Sequence, residues 1–221
     1  MRVLNPQIHS ICFHSPFDLL DFDDDQRAAT RKAAEMAGLK VLRLVNEPSA
    51  VALAYELGKD SDKDILSLVL HLGGGTSDVS LISTEDLVHE IVGFKADMDL
   101  GGQDFDDRVV NYLVENHKKR AGQNLSSREG MPMLRTAVQN AKHALSTEQS
   151  VEIEVVDPEN GHVLAETLSR AKFEQLNMDL FHRTMELVET VLMNVNVTSK
   201  QVDKVLPFPA RSFVVADANL P

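Results

Sequence analysis

The chain has 221 residues, of which 43% are hydrophobic and 25% are charged, and its formal net charge is −12 at pH 7. This composition excludes a disordered chain and predicts one or two globular domains with a sizeable core. The acidic balance also excludes an electrostatic interaction with nucleic acid or an anionic membrane, because phosphate groups are bound by clustered Lys and Arg.

The first part of the chain is predicted to contain two helices with a short strand between them. Asp23–Asp25 offer acidic caps for a helix that runs to about Met36 and that Gly38 would end. Pro48 suits the first turn of the second helix. In order, the predicted elements are a helix at 23–36, a strand at 41–45, a helix at 48–57 and a polar surface loop at 58–64.

Residues after the loop alternate between strand and helix patterns, which predicts a mixed α/β fold. Continuous or alternating apolar runs predict strands, and apolar residues spaced three and four apart, such as Phe105 and Val109, predict helices. Ser169 would cap the longest helix. In order, we expect strands at 65–72, 79–83 and 87–94, helices at 103–120 and 133–145, strands at 151–155 and 163–168, a helix at 170–194 and a strand at 202–206.

The strongest chemical signal is the segment at 70–78, LHLGGGTSD, which places three glycines between two apolar strands. Glycines let backbone N–H groups approach an anion with no Cβ in the way, Thr76 adds a hydroxyl donor, and Asp78 is suited to holding Mg²⁺ through water. The segment therefore predicts a phosphate site. Taken alone, it is also compatible with a glycine-rich hairpin that binds no ligand.

Three further segments accompany this loop: NEPSA at 46–50, LGGQDFD at 100–106 and AKHALS at 141–146. In wording, order and spacing, the four segments resemble the nucleotide-binding domain of heat-shock protein 70 (DnaK-type) chaperones, over about residues 26–206. The resemblance implies an α/β fold of the actin and sugar-kinase (ribonuclease H-like) type, in which two lobes close over Mg-ATP. This chain would hold an incomplete lobe I and most of lobe II. The implied division is a partial lobe I at 1–60, lower lobe II at 61–100 and 177–206, upper lobe II at 101–176, and an unmatched tail at 207–221.

The resemblance also implies a role for individual residues. The β- and γ-phosphates of ATP or ADP would be held by Gly73, Gly74, Gly75 and Thr76. The catalytic positions would be Glu47, His71 and Asp78, with Asp78 holding the metal through water. The nucleoside would be bound by Gly102, Gln139, Lys142, His143 and Ser146. Without the resemblance, a lone helical lysine or a first-turn glutamate is more often a solvated or capping residue.

Several positions depart from the family's pattern. His71 stands where the family has the aspartate that handles the metal and the attacking water, and it brings no fixed negative charge. Gln139 replaces a glutamate and His143 replaces an arginine that stacks on the base. Because losing a group that positions water commonly lowers a rate about 10²- to 10⁴-fold, we expect weak or absent hydrolysis. An alternative is that His71 is a packed histidine with no role.

Other family features have no counterpart in the printed sequence. These are the first phosphate loop, the lysine of the following subdomain and the substrate-binding domain. The segment from Pro207 to Arg211 stands where a second Gly-Gly loop is expected, and proline cannot replace it because it lacks the N–H group. About three extra residues within Asp18–Asp25 also interrupt the match. An incomplete lobe I sheet would leave an open edge, so marginal stability or association is expected.

Three functions follow from the resemblance and its departures. The first is an ATP- and ADP-binding chaperone domain with weak or absent hydrolysis. The second is a non-catalytic regulatory relative of the ribosome-associated type, and the third is a truncated interaction protein that binds no nucleotide. A sugar or acetate kinase is a further alternative, but no catalytic acid or sugar pocket is evident in the sequence.

The remaining features concern compartment and partners. Cys12 is the one cysteine, which excludes an internal disulfide and favours a reducing, cytoplasmic compartment. No apolar run approaches the roughly 18 residues of a membrane span, and Met1–Ser10 has no signal-peptide pattern. Expected partners are co-chaperones or nucleotide-exchange factors, and unfolded clients only if a substrate domain is supplied elsewhere.

Overall fold

The computed structural model describes residues 22–59, 63–121, 128–159 and 161–209. Cys12, residues 18–21 of the interval that holds the extra residues, and the tail beyond Pro209 lie outside the described residues. The elements are α1 (Asp24–Met36), α2 (Glu47–Ala54), β1 (Ile65–Leu72), β2 (Ser77–Glu85), β3 (Val88–Asp97), α3 (Gly102–Ala121), α4 (Gly130–Ala144), β4 (Ser150–Val156), β5 (Val163–Ser169), α5 (Arg170–Asn194) and β6 (Lys204–Pro209). Among the described residues, no helix is both long and apolar enough to cross a bilayer.

The chain divides into two compact units. The described residues of the first are 22–59, 63–70, 78–95 and 189–208, and those of the second are 71–77, 96–121, 128–159, 161–188 and 209. The first unit contains most of a four-stranded sheet with the order β3-β2-β1-β6, and the second contains the antiparallel pair β4-β5. The mixed α/β prediction is therefore confirmed.

The first unit has its core where α2 meets the sheet. Apolar side chains from both sources form one buried cluster, which consists of Val51, Ala52, Leu57, Val69, Ile82 and Leu206, with Ile91 packed against it. Leu57 reaches this cluster after α2 has ended, because Glu56 adopts a positive φ of 48° and turns the chain back. β1 and β2 are hydrogen-bonded neighbours in this sheet, and the glycine segment is the connection between them in sequence.

Of four sequence predictions for the first unit, one is confirmed and three differ from the structure. The helix at 24–36 is confirmed, with the Asp23 carboxylate accepting from the Gln26 N–H at 2.8 Å. The strand at 41–45 is wrong: none of the described strands pairs with it, and an apolar run becomes a strand only where a partner supplies a hydrogen-bond ladder. The second helix ends at Ala54 instead of Leu57. The last strand begins at Lys204, two residues later than predicted.

The second unit packs α3 and α5 together through aromatic rings. Phe105 of α3 lies with its ring centroid 6.4 Å from that of Phe173 and 5.1 Å from that of Phe181, both on α5. Arg183 of α5 donates two hydrogen bonds to the Asp97 carboxylate, at 2.6 and 2.7 Å. This packing fixes the direction of α3 and therefore the position of its first turn, which borders the glycine segment.

Candidate phosphate and nucleoside site

The glycine segment Gly73–Thr76 forms a tight turn between β1 and β2. The Gly73 N–H donates to the Thr76 carbonyl oxygen at 2.7 Å, which closes the turn. A Cβ at Gly73 would lie 2.9 Å from that same backbone oxygen, closer than real Cβ atoms approach. Glycine is therefore required at position 73 by the shape of the turn itself.

The first turn of α3 is hydrogen bonded to this segment. The Gly102 N–H donates to the Gly73 carbonyl at 2.9 Å, and the Gln103 N–H donates to the Gly74 carbonyl at 2.7 Å. At the end of the segment, the buried Ser77 hydroxyl donates to the Leu100 carbonyl at 2.7 Å. These bonds use the first N–H groups of α3, which would otherwise be unsatisfied at a helix start. The segment and the helix start therefore form one rigid structure.

Gly101 permits the two backbones to approach each other. A Cβ at Gly101 would lie 2.5 Å from both Cα and N of Gly75 and 2.6 Å from the carbonyl carbon of Gly74. Backbone atoms cannot move aside as a flexible side chain can, so this position excludes any side chain. The Gly101 N–H donates to the Asp104 carboxylate at 2.7 Å, which caps the start of α3.

The backbone N–H groups of Gly74 and Gly75 are not used in closing the turn. Both residues are exposed, and neither N–H has an acceptor among the described residues. A Cβ at Gly74 would meet no atom within 4 Å. Two adjacent N–H groups on exposed glycines, without an acceptor among the described residues, are the arrangement that binds an anion in glycine-rich phosphate loops.

Lys142 of α4 is enclosed by the protein. Its side chain is 2% exposed, and its Nζ donates to the Gly102 carbonyl and to Asp106 Oδ2, each at 2.9 Å. The other Asp106 oxygen also lies 2.9 Å from Nζ but does not meet hydrogen-bond geometry. Burial raises the pKa of Asp106, and the hydrogen bond from Lys142 opposes part of that rise. The ammonium thus links α4 to the first turn of α3.

A polar cavity of about 320 Å³ lies between α3 and α4. Its walls combine amides, a hydroxyl and charged groups, namely Gln103, Asp106, Asp107, Arg135, Thr136 and Gln139. Asp107 and Arg135 form an ion pair across it. Gln139 therefore lies on a concave surface that continues to the glycine segment through Gln103, whose Oε1 is 3.8 Å from a Cβ built at Gly75.

The remaining nucleoside residues lie at the end of α4. His143 is exposed and Ser146 is half-buried, and the Ser146 N–H donates to the His143 carbonyl at 3.2 Å. Lys142 and Ser146 are four residues apart, so they begin on one face of the helix. The Lys142 ammonium, however, turns inward to α3, while Ser146 and His143 remain accessible.

The predicted catalytic residues are divided between the units. Glu47, the first residue of α2, and Asp78, buried in β2, belong to the first unit. His71 belongs to the second unit, where it is 6% exposed and its Cε1 lies 3.5 Å from a Cβ built at Gly73. Within the described part of the chain, no three His, Cys, Asp or Glu side chains converge on a metal position.

Two residues that the sequence interpretation did not assign are central to this site. Asp106 is the partner of Lys142, and Gly101 allows α3 to touch the glycine segment. Asp106 precedes Val109 and Val110 by three and four residues, which puts a carboxylate on the apolar face of α3. A carboxylate on a buried helix face requires a cationic partner. The position of Asp106 on the apolar face of α3 is therefore the sequence signal by which it could have been assigned.

The comparison with protein families agrees with this geometry. A family model described as Hsp70 protein matches residues 12–207. The chain belongs to the Hsp70 family. Its fold is accordingly the actin-like ATPase type in partial form, and the matched region is an Hsp70 nucleotide-binding domain. Chaperone function, nucleotide binding with magnesium and interactions with co-chaperones and clients are properties of that family in general.

Proposed function

We propose that this Hsp70-family chain binds Mg-ADP and Mg-ATP at the glycine segment and hydrolyses ATP slowly or not at all. The observation that carries the proposal is that Gly74 and Gly75 are exposed and that their N–H groups have no acceptor among the described residues. Two adjacent backbone donors match the oxygens of a phosphate, and the open space beside Gly74 leaves room for it.

The nucleoside would lie along the cavity between α3 and α4. Gln139 and Gln103 offer amide groups for ribose hydroxyls, and His143 and Ser146 are accessible at the end of α4. Mg²⁺ binds chiefly through phosphate oxygens and water and uses one or two carboxylates, so it requires no cluster of protein ligands. The sequence resemblance assigns this role to Asp78, through water. When bound, the metal neutralises phosphate charge.

A substitution in the glycine segment tests the proposal directly. Gly74→Asp should abolish Mg-ADP binding, with at least a 100-fold rise in Kd, because a carboxylate would occupy the anion position and repel the phosphates. The matched variant Gly74→Ala should fold and should bind more tightly than Gly74→Asp, since a methyl group there meets no atom within 4 Å. Isothermal titration calorimetry of the three proteins measures both effects.

The result that would contradict the proposal is equally clear. If the folded wild type gives no heat at millimolar Mg-ADP, nucleotide binding is wrong and an interaction protein becomes the leading function. If Gly74→Asp binds as tightly as the wild type, the nucleotide lies elsewhere. Circular dichroism of each variant establishes that the fold is intact.

His71 supports the second half of the proposal. It is buried in β1 beside the glycine segment and cannot supply the fixed negative charge that orients an attacking water. Binding without efficient turnover is also what a regulatory Hsp70 relative would require. Co-chaperone contacts and a cytoplasmic location are further proposals, and clients would be bound only through a substrate domain.

The substitution His71→Asp is expected to raise the single-turnover rate of ATP hydrolysis about 100-fold, because it returns a carboxylate to that position. The measurement is phosphate release at pH 7.5, which lies well above the ordinary aspartate pKa of about 3.9. In the double variant with Gly74→Asp the gain should disappear, since the nucleotide is no longer bound. An unchanged rate in a variant that binds ATP normally would show that His71 does not limit hydrolysis.

A further inference from the structure

We infer that Asp106 is a positioning residue of the nucleotide site: its carboxylate holds the Lys142 ammonium on the Gly102 carbonyl and thereby fixes the glycine segment. The inference rests on the proposed function for its binding readout and has a second readout that does not depend on nucleotide. It also assigns Lys142 a structural role beside the direct contact with adenine and ribose that the sequence resemblance implies.

The contacts of Lys142 account for this assignment. Two of the three ammonium hydrogens are used by Gly102 and Asp106, and the side chain is almost fully enclosed. One ammonium hydrogen remains for a ligand, while the two hydrogen bonds that the Lys142 side chain makes go to the backbone of α3 and to Asp106. Its contribution to the site is therefore to hold the backbone of α3.

Gly102 connects this ammonium to the phosphate position. Its carbonyl accepts from Lys142, and its N–H donates to Gly73, while the next residue, Gln103, donates to Gly74. A shift of the first turn of α3 would therefore move the carbonyls of Gly73 and Gly74. Because an N–H and the preceding carbonyl share one rigid peptide plane, the N–H groups of Gly74 and Gly75 would turn with them.

Stability does not by itself explain the pair. Burial, the largest influence, raises the pKa of Asp106 above its ordinary value of 3.8, Lys142 and His143 lower it, and Asp107 raises it. The folded chain thus binds this proton more tightly than the unfolded chain does. The associated stability is complete below pH 3.8 and is lost as the pH rises through the folded pKa. A buried ion pair of this kind adds little to stability, so its geometry is the more informative property.

The test compares Asp106→Asn with Asp179→Asn. Both changes replace an aspartate by its amide, but Asp179 pairs with Arg108 at the exposed surface between α3 and α5. The first readout is amide hydrogen exchange of the glycine segment and of Gly102 and Gln103 in the full chain without nucleotide. The second is the Kd of Mg-ADP, and the third is the midpoint of urea unfolding at pH 7 and pH 4.5.

For Asp106→Asn we expect exchange of those amides to become at least about tenfold faster, and Mg-ADP to bind about ten- to 100-fold more weakly. The unfolding midpoint at pH 7 should not fall, because the amide resembles the protonated carboxyl group. After correction for the pH dependence of intrinsic exchange, the amides of the wild-type glycine segment should also exchange faster at low pH, because Asp106 is then protonated. Asp106→Asn should show no such pH-dependent change. Asp179→Asn should match the wild type in all three readouts.

A second variant, Asp106→Glu, separates charge from packing. It keeps the carboxylate, so the exchange rate of the glycine segment should stay nearer to the wild-type rate than in Asp106→Asn. If the Asn variant does not fold, the Glu variant alone tests whether the carboxylate positions the segment. Equal exchange in the wild type and Asp106→Asn would overturn the inference, as would equal loosening in the Asn and Glu variants. If the wild type binds no Mg-ADP, the proposed function fails, while the exchange data still decide the role of Asp106.

Discussion

Gly101→Ala is expected to lower the free energy of unfolding by about 3 kcal/mol and to abolish Mg-ADP binding. The added Cβ would meet three backbone atoms of Gly74 and Gly75 at 2.5–2.6 Å, so the glycine segment must move. Overpacking costs about 1–3 kcal/mol, and each of the two hydrogen bonds from α3 to the segment contributes about 1 kcal/mol. Alanine also lowers the conformational entropy of the unfolded chain, which stabilises the folded state by less than about 1 kcal/mol and offsets part of this loss.

Thermal unfolding measures this effect, since 1 kcal/mol shifts the Tm by about 2–4 °C in a chain of this size and the expected fall is therefore about 6–12 °C. Gly74→Ala is the matched control, because the same substitution at that position meets no atom within 4 Å and should leave the Tm near the wild-type value. Equal Tm values for the two variants would show that the contact between α3 and the glycine segment is not tight in solution.

Lys142→Met is expected to lower the free energy of unfolding by about 2–3 kcal/mol at pH 7. Methionine fills a similar volume, but the change leaves the Asp106 carboxylate in a buried site without its cation. Removing one partner of a buried pair costs about 3–5 kcal/mol, and protonation of Asp106 relieves part of this. Since that carboxylate then takes up a proton more readily in the folded state, the destabilisation should be smaller at pH 4.5 than at pH 7.

Urea unfolding at the two pH values measures this prediction. Lys119→Met is the control, because Lys119 pairs with Glu115 at an exposed position and its loss should change stability by less than about 0.5 kcal/mol. The double variant Asp106→Leu/Lys142→Met leaves no buried charge and should be more stable than Lys142→Met alone. A double variant that is less stable by the sum of the two single changes would show that the residues are not coupled.

The glycine run at 73–75 can be interpreted from the sequence alone, whereas the role of Gly101 can be seen only in the structure. The run of glycines at 73–75 predicts a turn with accessible N–H groups from local chemistry alone, and in the structure Gly74 and Gly75 are exposed residues of such a turn. Gly101 gives no comparable signal, because the requirement for glycine comes from Gly75, 26 residues earlier in the chain. Its role depends on a contact between distant segments, which no local pattern contains.

The same division applies to the fold. Helix caps such as Asp23 and Ser169 are local, and both helices begin within one residue of the predicted position. The apolar segment 41–45 has a strand pattern, yet it pairs with none of the described strands, because pairing is decided by what lies beside a segment in three dimensions. For the same reason the last strand starts two residues after its apolar pattern begins.

By itself, the sequence determined the mixed α/β class, most helices, the glycine segment and, through four short segments, the resemblance to the Hsp70 nucleotide-binding domain that the family comparison establishes. Only the tertiary structure decided that Lys142 turns inward to Gly102 and Asp106 instead of remaining a surface lysine. The physical reason is that turns, caps and amphipathic faces arise from neighbours in the chain, whereas the burial of a charge and its pairing arise from helices brought together by packing.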